Sequence, residues 1–147
     1  MEITFKNATS NDIDRIVELN RKLIMKYETN LNLDFKRIFD WIKKKAENNI
    51  DNYQCVYLGK IKVGYFFLHD KGGELELDDL FIFDEFQGRG IRTYILKYAA
   101  SIAKGKNKAI FLYVFAKNYG AINLYTRNGY KISENISNSR YIMRLCK

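Results

Sequence analysis

The sequence predicts an α/β fold: one domain, with a mixed central sheet of about seven strands flanked by about four helices. Three observations carry this. Apolar stripes at helical spacing alternate along the chain with short apolar runs of strand length. The two strand-like segments on either side of the longest late helix must be joined by a crossover, so they should run parallel. No Pro-rich or Gly/Ser-rich linker, repeat or low-complexity block divides the 147 residues, so residues 1–147 are read as a single domain. A chain of that length buries roughly two-thirds of the surface its unfolded form exposes. The 47% hydrophobic and 15% aromatic content supplies a core to match.

Taken in order, Glu2 to Asn7 alternates apolar and polar residues and reads as a strand. Thr9 followed by Asp12 gives a capping signature, with Asp in place of the usual Glu, ahead of the amphipathic helix carrying Ile13, Ile16, Val17, Leu23, Ile24 and Tyr27. Asn30 to Asn32 break it, and Phe35, Ile38, Phe39, Ile42 and Ala46 mark a second helix. The Lys43-Lys44-Lys45 run is read as the solvated end of that helix, and Trp41 as partly buried beside its stripe or as the rim of a substrate mouth. Tyr53 to Leu58 and Ile61 to His69 form a hairpin about Gly59-Lys60, a Gly-X pair suited to a type II′ turn. Asp70 to Gly73 turns the chain into the central strand. After the helix that follows Gly90 and ends near Gly105, Lys108 to Phe115 is another strand. Asn118 can cap a short helix bearing Ala121, Ile122 and Tyr125, which stops at Asn128-Gly129. Tyr130 to Ser133 and Arg140 to Leu145 close the chain as two strands around a polar turn.

The stretch from Glu74 to Lys104 organises the rest. Leu77, Leu80, Phe81, Ile82 and Phe83 form a strand, Gln87-Gly88-Arg89-Gly90-Ile91-Arg92 a tight turn, and Ile91, Ile95, Tyr98, Ala99 and Ile102 a helical stripe. A helix opening from such a turn leaves its first N–H groups unpaired and carries about half a positive charge there. With Arg89 and Arg92 beside it, this is a site for an anion, and a phosphate-bearing ligand is the expectation. The turn is neither a full G-x-G-x-x-G fingerprint nor a Gly-Lys-Ser/Thr loop, and an ordinary solvated turn is the alternative.

The net charge of +8 favours anionic partners, but its distribution is split. Glu74, Glu76, Asp78, Asp79, Asp84 and Glu85 crowd the central strand, whereas Glu134 is the only acidic residue from Arg89 onward. An acidic strand against a basic turn suits a site joining a polyanion to a cation better than a duplex-binding face. No apolar run reaches the ~20 residues of a membrane span, and Met1 opens straight into a strand-like segment without a signal-peptide pattern, so a cytoplasmic protein without a membrane partner is expected. Cys55 and Cys146 match no metal or redox spacing and are read as buried free thiols. His69 is the only histidine, which argues against a His-dependent catalytic triad or a histidine-based metal site; it is read as a surface residue, and no metal is expected.

The order of elements, with these motifs, resembles the GNAT superfamily of N-acetyltransferases over nearly the whole chain. Gln87-Gly88-Arg89-Gly90 is similar to the family's Gln/Arg-x-x-Gly-x-Gly/Ala acetyl-CoA turn, and Leu77-Asp78-Asp79-Leu80-Phe81-Ile82 to the strand before it. Asn118-Tyr119-Gly120-Ala121-Ile122-Asn123-Leu124-Tyr125, followed by Gly129-Tyr130, resembles the family's Asn-x-x-Ala-x-x-x-Tyr helix and its ending. Arg92 departs from the pattern, standing where the family usually has Gly or Ala; it is expected to reach a phosphate, a role that equal acetyl-CoA affinity in wild type and Arg92→Ala would remove.

The resemblance implies roles. Leu80, Phe81 and Ile82 would pair through their backbone with the pantetheine arm of coenzyme A. Gln87, Gly88, Arg89, Gly90, Ile91, Arg92 and Thr93 would form the diphosphate cradle, and Asn118 would contact the same molecule. Tyr125 would stand near the thioester sulfur as general acid, with Glu76 as general base and Asp78 and Asp79 as its rivals. An alkyl amine of pKa ~10.4 is protonated at pH 7, and exposing its lone pair costs about 4.6 kcal/mol without such a base.

The function expected is therefore direct acetyl transfer from acetyl-CoA to a primary amine. The carboxylates lean the acceptor toward a cationic small molecule such as a polyamine or an aminoglycoside-like compound. A peptide or protein amine is the rival acceptor, and an acyl-CoA-binding module without turnover is the rival class. Nucleic-acid binding, suggested only by the charge, finds no motif and is not expected. The segments around Thr29 to Phe35 and Glu134 to Ser139 are expected to border the acceptor pocket, and a homodimer is compatible with the sequence.

Overall fold

In the computed structural model, which describes residues 1–30 and 32–146, seven strands form one mixed sheet in the order β1-β2-β3-β4-β5-β7-β6. The strands are β1 (Ile3–Asn7), β2 (Tyr53–Leu58), β3 (Ile61–Asp70), β4 (Glu74–Ile82), β5 (Ala109–Phe115), β6 (Lys131–Ile136) and β7 (Arg140–Leu145). The helices are α1 (Ile13–Tyr27), α2 (Phe35–Asn49), α3 (Ile91–Gly105) and α4 (Tyr119–Arg127). Leu31, inside the expected break between the first two helices, and Lys147 lie outside the described residues.

Most neighbours are antiparallel; β4 and β5, joined through α3, are parallel as the crossover requires. Their pairing runs only from Glu74 opposite Ala109 to Glu76 opposite Phe111, after which the two strands diverge. The sheet therefore opens into a cleft at the C-terminal half of β4.

Two apolar layers cover the sheet. Leu75, Leu77, Ile82, Ile91, Ile95, Ala99 and Ile110 are buried together on the side of α3, and Ile16, Ala46, Tyr53, Tyr65 and Phe67 on the side of α1 and α2. A bulge in β4 controls which residues face which layer. Phe67 pairs with Asp79, but the next residue, Leu68, pairs with Leu77, so Asp78 is an extra residue. Leu75 and Leu77 on one half of the strand, and Leu80 and Ile82 on the other, all pack with the α3 layer, while Glu76, Asp78, Asp79 and Phe81 turn to the opposite side. Strict alternation would have separated Asp78 from Asp79. Gly64 of β3 lies opposite Ile82, where a Cβ would sit 2.0 Å from the Phe81 carbonyl oxygen, so only glycine lets the two backbones approach this closely.

Several expectations are corrected. Cys55 is buried but Cys146 is exposed, because it follows the last sheet residue, Leu145. The final hairpin is longer than predicted. β6 runs to Ile136, and Ser137 and Asn138 turn at φ 52° and 61°, the pair of left-handed residues that a tight two-residue turn needs. Its mostly exposed residues give no apolar alternation from which its length could be read. Trp41 is 61% exposed and stands on the cleft, the rim position rather than the partly buried one. Among the described residues no helix is long and apolar enough to cross a membrane.

Candidate active site

The cleft between diverging β4 and β5 has a volume of about 840 Å³. Its lining joins three groups of residues: the facing sides of α1 and α2, the carboxylate-bearing face of β4, and the start of α3 with α4.

At the α3 end, Gly88 and Gly90 adopt φ of 77° and 80°, left-handed values that glycine reaches without steric penalty. Gly90 is the residue before the helix, and the first intrahelical bond runs from Tyr94 N–H to Gly90 O at 3.0 Å. The N–H groups of Ile91, Arg92 and Thr93 thus precede the helical ladder. The Ile91 side chain is buried in the core, leaving only its backbone to serve a ligand. Gln87 braces the turn: its Nε2 donates to the Ile82 carbonyl at 3.1 Å and so ties the turn to the end of β4. The Arg89 guanidinium sits over the Phe86 ring at 5.3 Å. Arg92 lines the cleft together with Leu80, Phe81, Asn118 and Tyr125. Asn118 uses its Oδ1 to accept from Ala121 N–H at 3.2 Å, capping α4 as expected. Burial holds the Tyr125 hydroxyl above its ordinary pKa, and the positive charge of Arg92 partly opposes this. The Tyr130 ring lies 5.9 Å from that of Tyr125, with its own hydroxyl buried and unpartnered among the described residues.

At the sheet end, the three acidic candidates meet different surroundings. Asp79 is buried and accepts from Tyr53 Oη at 2.5 Å and from Asn20 Nδ2 at 3.4 Å. Burial raises its pKa against the pull of Lys45. Asp78 accepts from Lys45 Nζ at 2.5 Å, and its other oxygen lies 3.2 Å from His69 Nε2. Glu76 is only 6% exposed, and its carboxylate contacts are His69 Nε2 at 3.3 Å and Lys71 Nζ at 3.8 Å. Burial, reinforced by the charge of Asp78, raises the Glu76 pKa above the ordinary carboxylate value. A buried carboxylate with raised proton affinity on a cleft wall is the arrangement suited to accepting a proton.

Three residues not assigned to the site in the sequence analysis belong here. His69 is not a surface residue: it stacks on Phe67 at 4.3 Å and sits between Glu76 and Asp78. Burial lowers its pKa against the pull of Asp78, so the ring is neutral at pH 7. The Asp70 to Gly73 turn sets His69 opposite Glu76, and that pairing was readable from the hairpin. Lys45 is not a solvated helix end: burial would lower its pKa, but the charges of Asp79 and Asp78 outweigh this and raise it. Its spacing from Ile38 and Ile42 places it on the stripe facing the cleft. Tyr53 anchors Asp79 from β2, across the intervening β3. Ligand atoms of His69, Glu76 and Asp78 lie within 4.8 Å of one another, a donor set a cation could use, although Lys45 already supplies positive charge at Asp78. Leu33, within the Thr29 to Phe35 segment, lines the cleft, whereas no residue of Glu134 to Ser139 does; the neighbouring Arg140 lines it instead.

A seven-stranded sheet splayed beside a glycine turn that opens a helix defines an acetyltransferase class of fold. The sequence profile of the acetyltransferase (GNAT) family matches residues 18–130, and this chain belongs to that family. It is 30% identical over 142 residues to an uncharacterised N-acetyltransferase of Methanocaldococcus jannaschii, covering 89% of this chain and 62% of that protein's length. In structure it is similar to the PaiA N-acetyltransferase of Thermoplasma acidophilum in complex with coenzyme A, with TM-score 0.75 and 22% identity over all of both chains. It also resembles Naa50 of Arabidopsis thaliana bound to the bisubstrate analogue CoA-Ac-MVNAL, with TM-score 0.66 and 18% identity over 98% of each chain.

Proposed function

We propose that this protein transfers an acetyl group from acetyl-CoA directly to a primary amine, and that it does so in the cytoplasm. The observation that carries the reading is that one cleft brings Glu76 and Tyr125 together with Arg92, in the first turn of the helix that Gly90 opens. The turn fits a diphosphate: its left-handed glycines leave open space where side chains would stand, the N–H groups of residues 91–93 precede the helical ladder, and Arg92 adds a cation. Coenzyme A, when bound, supplies the activated acyl group as a thioester.

The chain's own residues do the rest. The amides of residues 88–93 hold the diphosphate, while the backbone of Leu80, Phe81 and Ile82, no longer paired to β5, offers hydrogen bonds to the pantetheine arm. Asn118 borders the same channel. Glu76 takes a proton from the acceptor ammonium, and the freed amine attacks the acyl carbon. Glu76 is preferred over Asp78, which Lys45 occupies, and over Asp79, which Tyr53 and Asn20 occupy. As the C–S bond breaks, Tyr125 donates its proton to the leaving sulfur, and the proton shed by the new amide nitrogen restores the phenol.

The test is release of free CoA thiol on mixing the protein with acetyl-CoA and a panel of primary amines. Tyr125→Phe is expected to lower turnover on the order of 10²-fold or more while leaving acetyl-CoA affinity intact; unchanged turnover removes the acid role. The peptide-bearing analogue held by the Arabidopsis relative supports a second acceptor reading, a peptide amine, so N-terminal peptides belong in the panel. Binding of acetyl-CoA without turnover on any amine would instead identify a non-catalytic module.

A further inference from the structure

Three carboxylates in sequence suggest a site for a polycation, but their surroundings say otherwise. Lys45 is bonded to Asp78 and lies 17% exposed at its side chain, as does its partner. Lys71 stands 3.8 Å from Glu76, and His69, between the two acids, is neutral at pH 7. Against the three acids Glu76, Asp78 and Asp79 the cleft floor thus sets the two cations Lys45 and Lys71, leaving at most one uncompensated negative charge. One ammonium completes that balance. A second would face Lys45, whose Nζ is already the amine held by Asp78.

The walls leading to this floor are mostly apolar, with Asn20 and Glu28 among their polar residues. α2 turns Ile38, Trp41 and Ile42 into the cleft, one helical face that ends in Lys45, and α1 opposes them with Leu23 and Ile24. Trp41 is largely exposed on this rim, and Lys45 Nζ lies 5.5 Å from its ring centre. Burying an apolar substituent there would remove water from a surface that the free protein leaves wet.

We infer that the acceptor is a monocation, a primary amine carrying an apolar substituent, and that Lys45 is the specificity-determining residue that disfavours diamines and polyamines. The inference rests on the acetyltransferase reading above and narrows its acceptor. The amine of a free alkyl- or arylalkylamine and the α-amine of a peptide with an apolar first residue share this chemistry.

The experiment compares kcat/KM, with acetyl-CoA held constant, for 3-methylbutylamine, 2-phenylethylamine, 1,4-diaminobutane and spermidine, and for pentapeptides beginning with Leu or with Lys. The monoamines are expected to exceed the diamine and spermidine by about ten-fold, and the two peptides to show whether the apolar arm belongs to a small molecule or to a chain end. In Lys45→Met the diamine gains on the monoamines by about ten-fold, chiefly through a lower KM, because Asp78 becomes available. Lys45→Arg restores the wild-type order. Asp78→Asn moves the ratio the other way, because it leaves Lys45 uncompensated, and this opposite sign separates selectivity from damage to the fold. Turnover with spermidine preferred, or a ratio unmoved in both Lys45→Met and Asp78→Asn, overturns the inference while leaving the acetyltransferase reading in place. Absence of thiol release with every amine takes both down.

Discussion

Two carboxylates on the α1–α2 side of the sheet are almost equally buried and chemically opposite. Asp12, 7% exposed, accepts from Thr9 N–H at 2.9 Å, from Lys62 Nζ at 2.7 Å and from Tyr65 Oη at 2.7 Å, with Cys55 Sγ at 3.7 Å. Burial alone would raise its pKa, but the hydrogen bonds from Lys62, Thr9 and Tyr65 outweigh it and hold the value at about 2. Glu76, as deeply buried, faces a cleft with only His69 and Lys71 nearby, at 3.3 and 3.8 Å, and its pKa goes up. Burial therefore does not make a carboxylate reactive. What separates the two is how far their oxygens are already satisfied by the protein.

The contrast can be broken most directly by substituting each acid with its amide. Glu76→Gln is expected to reduce turnover by on the order of 10²- to 10⁴-fold with acetyl-CoA affinity unchanged, measured by steady-state thiol release; a loss below about three-fold would pass the base role to Asp78 or Asp79. Asp12→Asn should do the reverse, leaving turnover alone and removing about 2 kcal/mol of stability, roughly 5 °C in melting temperature. That contribution has a pH signature. Because Asp12 titrates at about 2 in the fold against an ordinary 3.8, its stabilisation is full above pH ~4 and disappears as pH falls toward 2, so the acid-unfolding curve of Asp12→Asn should lose that portion.

A smaller effect sharpens the comparison further. Since the Glu76 pKa is raised on folding, the protein loses stability as pH rises through that interval, and Glu76→Gln should melt slightly higher than wild type at pH 7. In wild type the acid limb of kcat/KM should fall above the ordinary carboxylate value of 4.5, with rate lost as pH drops. A limb at or below 4.5 would show that the Glu76 oxygens are satisfied, by water or by the protein, more fully than the structure implies.

What could be read from the sequence was what depends on neighbours in the chain. Gly90 before α3, Asn118 before α4 and the Asp70 to Gly73 turn are local choices, and each occurs where it was expected. The parallel course of β4 and β5 followed from the connecting helix. Lys45 and Tyr53 were missed as site residues because their roles arise from partners in other elements, 33 and 26 residues away, whereas the place of His69 opposite Glu76 follows from the hairpin and could have been read. The compensation of Asp78 by Lys45 could not be foreseen from a run of three lysines, two of which remain exposed. Nor does anything in Leu77-Asp78-Asp79-Leu80 announce a bulge; its apolar ends flank two acids in any register.

That bulge also sets limits on how the gene can drift. Losing the Asp78 codon would restore plain alternation and leave Leu80, Phe81 and Ile82 on their present sides, whereas straightening the strand with every residue kept would drive Phe81 into the α3 layer and Ile82 out of it. A single substitution alters one contact, whereas that straightening would turn half a strand inside out. Descendants of this chain can therefore shed the bulge together with one of its two acids and still keep Phe81 and Ile82 in place, and can accept a side chain at Gly73, where it meets open space.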